Sequence, residues 1–315
     1  MKLQTKIPIK KQLINQIDYN SNILLLGSCF SENISDKLSY FKFQSSQNPF
    51  GILFHPKAIE NLLDAAIQDK IYKDEDLVFQ NERWHCFEAH SRLSSLDKNA
   101  LLENLNLAIL QTKKKVKEAT HITITLGTAW VYKFIETGKI VANCHKIPQN
   151  KFLKTLLNVD EITQSLKNTL SLIKSVNKEA KVIFTVSPVR HLKDGFVENT
   201  LSKSHLITAI HQVLQENDVF YFPSYEIMMD ELRDYRFYTE DMIHPNNTAV
   251  NYIWDKFLNE WISENSFSTM KKIDIIQKGL AHKPFNEHSE QYQKFLSNLE
   301  KKKATIVSQF KHITF

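Results

Sequence analysis

The apolar run Ile23 to Leu26 stops abruptly at Gly27-Ser28-Cys29-Phe30. A short continuous apolar run bounded by turn residues is the pattern of a strand buried on both faces. Related runs follow: His121–Leu126 before Gly127-Thr128, Lys181–Val186 before Ser187-Pro188, and Val219–Phe222 before Pro223-Ser224. Between them, apolar residues recur at helical spacing. Pro56 opens one such stretch, with Ile59, Leu62, Leu63, Ala66 and Ile67 on one face. Further helices are predicted over 98–118, 160–177, 199–216 and 246–262. Ser31 is expected to cap a helix running to Tyr40, with Glu32 favoured in its first turn. Asn48-Pro49-Phe50-Gly51 reads as a turn.

Strands that alternate with helices predict a parallel, doubly wound α/β sheet of five strands. The carboxyl ends of parallel strands share one edge, so Ser28, Gly127-Thr128, Ser187 and Ser224 are expected to converge there. Two stretches break the alternation as β-hairpin insertions: 77–93 around Asn81-Glu82, and 130–142 around Thr137-Gly138. The main domain is placed at 20–262. Residues 263–315 read as a C-terminal helical extension and tail.

Composition removes several function classes. The 315 residues carry a net charge of only +5, and no basic tract is interleaved with aromatics, so nucleic acid is not a predicted partner. Lys113–Lys115 and Lys301–Lys303 read as solvated helix faces. Three widely spaced cysteines make no disulfide framework and fit a reducing compartment. The amino terminus shows no signal-peptide pattern, and no apolar run approaches the roughly 18 residues of a membrane helix. A cytoplasmic location and no membrane association are therefore expected.

Candidate chemistry centres on Ser28 and on Asp241-Met242-Ile243-His244-Pro245. A hydroxyl nucleophile needs a base within hydrogen-bond reach, and the base needs an orienting group. An Asp three residues before a His supplies both from one loop. Gly-Ser alone favours a helix-capping serine; the Asp–His–Pro cluster shifts the reading to a Ser28–His244–Asp241 triad. Cys29 is read as an inert neighbour rather than a nucleophile. Trp84-His85-Cys86 and Cys144-His145 lack the paired spacing of zinc ligands, so no metal and no cofactor are expected. Arg190 is a candidate clamp for a carboxylate or sugar oxygen, with a surface salt bridge as the plainer alternative. Phe237 and Tyr238 fill core or wall the site.

These segments together resemble the GSCFA family, a branch of the SGNH/GDSL hydrolase superfamily. Gly27-Ser28-Cys29-Phe30 resembles its signature, and Asp241–Pro245 the superfamily's last block. Asn48–Gly51, Leu126–Trp130, Asn143–Lys146 and Ser187–His191 resemble further GSCFA segments in order. The resemblance implies a three-layer flavodoxin-like fold and ester-bond chemistry: a serine hydrolase of esterase or deacetylase type, or an acyltransferase. An O-acylated carbohydrate is the substrate it suggests. A non-catalytic glycan-binding module is the rival reading.

In the resemblance, backbone N–H groups of Ser28 and Gly51 bind the oxyanion. Two departures stand out. The fifth signature position is Ser31 rather than Ala. The superfamily's third block, Gly-x-Asn-Asp, reads Gly127-Thr128-Ala129-Trp130 here, so its oxyanion Asn is absent. Losing one such donor typically lowers the rate by about 10²–10³. Asn143 is the first expected replacement and His145 the second, with Thr128 and Lys146 as further substrate-binding candidates.

Overall fold

The computed structural model describes residues 4–215 and 218–315. Residues 1–3, at the start of the amino-terminal stretch read for a signal peptide, and 216–217, at the end of the predicted 199–216 helix, lie outside the described residues. The chain begins with β1 (Asn22–Gly27), α1 (Cys29–Tyr40), β2 (Gln44–Gln47) and α2 (Pro56–Ile67). A hairpin follows, β3 (Leu77–Gln80) and β4 (Arg83–Cys86), then α3 (Lys98–Glu118) and β5 (His121–Leu126). Next come β6 (Trp130–Phe134), β7 (Ile140–Val141), β8 (Phe152–Leu156), α4 (Val159–Val176) and β9 (Lys181–Val186). The remainder is α5 (Phe196–Val213), β10 (Val219–Tyr221), the single turn α6 (Ser224–Glu226), α7 (Asn247–Trp261), α8 (Glu264–Leu280) and α9 (Glu290–Gln309).

The central sheet runs β10-β9-β5-β1-β2, and every neighbouring pair is parallel. Numbering only these five strands gives 2-1-3-4-5, the flavodoxin-like order expected. Side chains alternate along β1, and both faces are covered. Leu24 and Leu26 enter the core under α2 to α5, while Ile23 and Leu25 enter a second core with Phe30, Ile34 and Trp261. Burial on both faces is why β1 reads as an unbroken apolar run. Helices α8 and α9 pack into the second core through Met270, Ile273, Ile276, Leu299 and Ile306.

Several local expectations are corrected. Strand β2 is polar throughout (Gln-Ser-Ser-Gln) and half-buried at the sheet edge, so periodicity missed it. The first hairpin ends at Cys86, not near 93; Asn81 and Glu82 both hold positive φ, the geometry of a two-residue hairpin turn. The second insertion gains β8, antiparallel to β6, so it is a three-stranded sheet. Helix α1 begins at Cys29 with Ser28 as its cap; Ser31 sits inside the first turn, its hydroxyl donating to the Ser28 carbonyl.

Candidate active site

Gly27 lets β1 break sharply. Its φ is +126°, and a Cβ there would lie 2.1 Å from the Thr125 carbonyl oxygen, so glycine is required. The turn places Ser28 at the carboxyl edge of the sheet, 2% exposed. The Ser28 N–H donates to Thr125 O (3.0 Å), and its Oγ accepts a long hydrogen bond from Phe30 N–H (3.4 Å). Asn48 secures the turn from the neighbouring loop. Its Oδ1 accepts from Gly27 N–H (2.9 Å), and its Nδ2 donates to Ser31 Oγ (3.1 Å). The sequence pattern marks Asn48 only as a turn residue; its buried amide is what fastens the two loops.

Asp241 and His244 form a self-contained unit in the loop before α7. The His244 Nδ1–H donates to Asp241 Oδ2 (2.6 Å). Asp241 Oδ1 accepts from the Thr239 hydroxyl (2.6 Å) and from the N–H groups of Ile243 (2.9 Å) and His244 (3.0 Å). These bonds, that of Thr239 foremost, hold the Asp241 carboxyl well below the usual carboxylate range. With Nδ1 committed, Nε2 is the free nitrogen of the ring. Both side chains are about half exposed. The ring bond of His244 is to Asp241 and the hydroxyl bond of Ser28 is to Phe30; no hydrogen bond joins Ser28 to His244 among the described residues.

The other candidates are spread more widely. Gly51 N–H donates to Asn48 O (2.8 Å) within its turn and Ser28 N–H to Thr125 O of β5, so both amides expected as oxyanion donors already have partners. Thr128 is buried, its hydroxyl 3.0 Å from Ser202 Oγ and accepting from Trp130 N–H. Asn143 Oδ1 accepts from His145 N–H (2.8 Å). The buried His145 donates from Nε2 to Cys86 O (2.7 Å) and stacks on His85. The bonds of Asn143 and His145 thus run within the hairpin region. Lys146 is exposed at positive φ. Among the described residues no group of three or more His, Cys, Asp or Glu is placed to hold a metal ion, and no helix is long and apolar enough to cross a membrane.

Arg190 lies beside the His244 loop, its N–H donating to Ile243 O (3.2 Å). Its guanidinium stands over the Phe196 ring at 5.7 Å, and its charge acts on the phenols of Tyr225 and Tyr238. It borders a cavity of about 310 Å³ that Asp230, Arg233, Tyr235 and Tyr238 also line. Two further residues escaped the sequence reading. His191 packs against Phe54, its Nε2 buried without a partner, and burial pushes its imidazole down to about 3. Lys203, in α5, is buried and donates to Gly127 O and Ser187 O, both at 2.7 Å.

A family model described as "GSCFA family" matches residues 22–257, and one described as "GSCFA domain protein, C-terminal domain" matches residues 273–315. No curated protein matches the chain. Solved structures that match include a carbohydrate esterase family 3 from Talaromyces cellulolyticus, at 9% identity and a TM-score of 0.36, over 81% of this chain and 99% of that one. A mutant acetyl esterase with acetate ion matches at 10% identity and 0.37, over 80% and 99%. An acetyl xylan esterase from Butyrivibrio proteoclasticus matches at 11% identity and 0.35, over 84% and 66%.

Proposed function

From the premise that this chain belongs to the GSCFA family, we propose that it is a serine acyl-ester hydrolase built on Ser28, His244 and Asp241. The observation that carries this reading is the Asp241–His244 pair. A carboxylate held ionised and bonded to Nδ1 fixes the tautomer in which Nε2 is a base. Ser28 Oγ attacks the acyl carbon as His244 Nε2 takes its proton, and the carbonyl electrons move onto oxygen. Collapse breaks the ester C–O bond, and the leaving alcohol receives the proton from His244. Water, deprotonated by the same nitrogen, then releases the acyl group. An alcohol acceptor in place of water makes the same site an acyltransferase. Loop 239–245 brings His244 onto Ser28 when substrate binds, since catalytic hydrogen bonds often tighten only in the complex.

The cavity beside Arg190 suits the alcohol half of the ester. Two arginines, two aspartates and two tyrosines present both donors and acceptors, as a polyhydroxylated leaving group requires. An O-acylated carbohydrate is therefore the proposed substrate. A fluorophosphonate probe tests the reading: an activated serine is labelled, and Ser28→Ala abolishes the label. The rival, a glycan-binding module without catalysis, is favoured by Ala129 standing where the superfamily has Asn. Tight glycan binding with no labelling would establish it.

A further inference from the structure

Helix α5 buries Asn199, Ser202 and Lys203 in its first two turns. Their i, i+3, i+4 spacing sets them on one face, which farther along is apolar: Leu206, Ala209, Ile210 and Val213. All three reach the carboxyl edge of the sheet. Asn199 Oδ1 accepts from His191 N–H (2.9 Å), and Ser202 Oγ accepts from Ala129 N–H (2.7 Å). The Lys203 ammonium bridges the carbonyls of Gly127 and Ser187, just past the ends of β5 and β9. Strand β5 lies directly beside β1, which delivers Ser28.

An ammonium 1% exposed is costly, and among the described residues no carboxylate acts on this one. Methionine or leucine would extend the apolar face without that cost. The charge therefore calls for a reason beyond packing. The groups facing it are the two carbonyls, the Cys29 thiol at the start of α1, the His191 imidazole and the Tyr225 ring at 5.6 Å. Its positive field thus reaches the residue that follows Ser28. Burial lowers the ammonium to about 7.

Resting on the hydrolase reading, we propose that Lys203 is a positioning residue of the Ser28 site. Its ammonium ties the ends of β5 and β9 together and supplies the positive field that an Asn at position 129 would otherwise provide for the developing oxyanion.

The test compares the native protein with Lys203→Met and Lys203→Arg, following fluorophosphonate labelling of Ser28 and p-nitrophenyl acetate turnover from about pH 6 to about pH 9. The methionine variant should lose about 10²-fold in labelling rate and kcat near pH 6.5, with KM within about twofold. The native rate should fall as pH rises through the ammonium's titration. That falling limb should vanish in both variants, because methionine cannot titrate and arginine stays charged. A folded methionine variant that labels at the native rate across the range overturns the proposal. If methionine prevents folding, the arginine variant decides, and a falling limb identical to the native one overturns it. A native protein that takes no label fails the hydrolase reading and this proposal with it; a labelled native protein with unchanged variants fails this proposal alone.

Discussion

The two halves of the proposed triad are held by opposite means. The Ser28 turn is buried and fastened by distant parts of the chain: Thr125 through the Ser28 N–H, and Asn48 through the Gly27 N–H. The 239–245 loop is exposed and fastened mostly by itself. Asp241 collects the Thr239 hydroxyl, two backbone N–H groups and the His244 ring, while Thr239 N–H donates to His244 O. Its ties outward are the Arg190–Ile243 bond and the Tyr238–Pro245 bridge. Tertiary bonds hold the proposed nucleophile in the core, whereas the proposed base is held mainly by bonds within its own loop.

The largest effect should come from the loop's chemistry. Asp241→Asn would present an amide N–H to Nδ1 and favour the wrong tautomer, lowering kcat/KM by on the order of 10⁴ with little change in melting temperature. A loss under tenfold would mean that the pair is not the base.

Stability should respond in the opposite region. Gly27→Ala drives a Cβ to within 2.1 Å of the Thr125 carbonyl oxygen at φ +126°, and should cost about 3–5 kcal/mol in urea unfolding. Met242 in the exposed loop also has positive φ, 57°, and Met242→Gly relieves it. That change should be neutral or stabilising by up to about 1 kcal/mol. Equal losses from the two changes would contradict the division between a buried turn and a local one.

Acid should separate the regions as well. Burial lowers the imidazoles of His55 and His145 to about 4 and of His191 to about 3. Each binds its proton more weakly folded than unfolded, so its contribution is complete above about pH 6.5 and is lost as pH falls through its folded value. For the fully buried His55, which joins the α2 cap to Val141 O through Nε2, this amounts to about 3 kcal/mol. Glu260, raised to about 7 by burial, acts in the opposite sense. His55→Gln should therefore flatten the decline in urea midpoint between about pH 6.5 and about pH 4; an unchanged slope would remove His55 from the account. The Asp241 bonds, with their carboxyl depressed, should outlast this window.

What was legible in the sequence follows the same division. Strands buried on both faces read as apolar runs, and their alternation with helices marked a parallel sheet, while the flavodoxin-like order came with the family resemblance. The Asp–His–Pro loop was legible because its bonds are local, and local bonds leave fixed spacing in the chain. Strand β2 was not legible, since four polar edge residues become a strand only by pairing with β1. Nor was Lys203, which looks like any helical lysine until α5 is laid against β5 and β9. Asn48 shows the same limit: its partners, Gly27 and Ser31, lie at the end of β1 and in the first turn of α1.

The smallest effect concerns one hydroxyl. Thr239 contributes most to holding the Asp241 carboxyl low, yet the pair is half exposed, where water can replace a lost donor. Thr239→Val should let the Asp241 carboxyl rise toward its usual value near about 3.9, read from its NMR titration. Turnover at neutral pH should fall by less than about tenfold, because Asp241 stays ionised and both backbone N–H groups still orient it. A titration that does not move would show that the backbone alone holds the carboxylate. A loss near that of Asp241→Asn would show that the loop depends on Thr239 to keep its shape, and that the base is less self-contained than its bonds suggest.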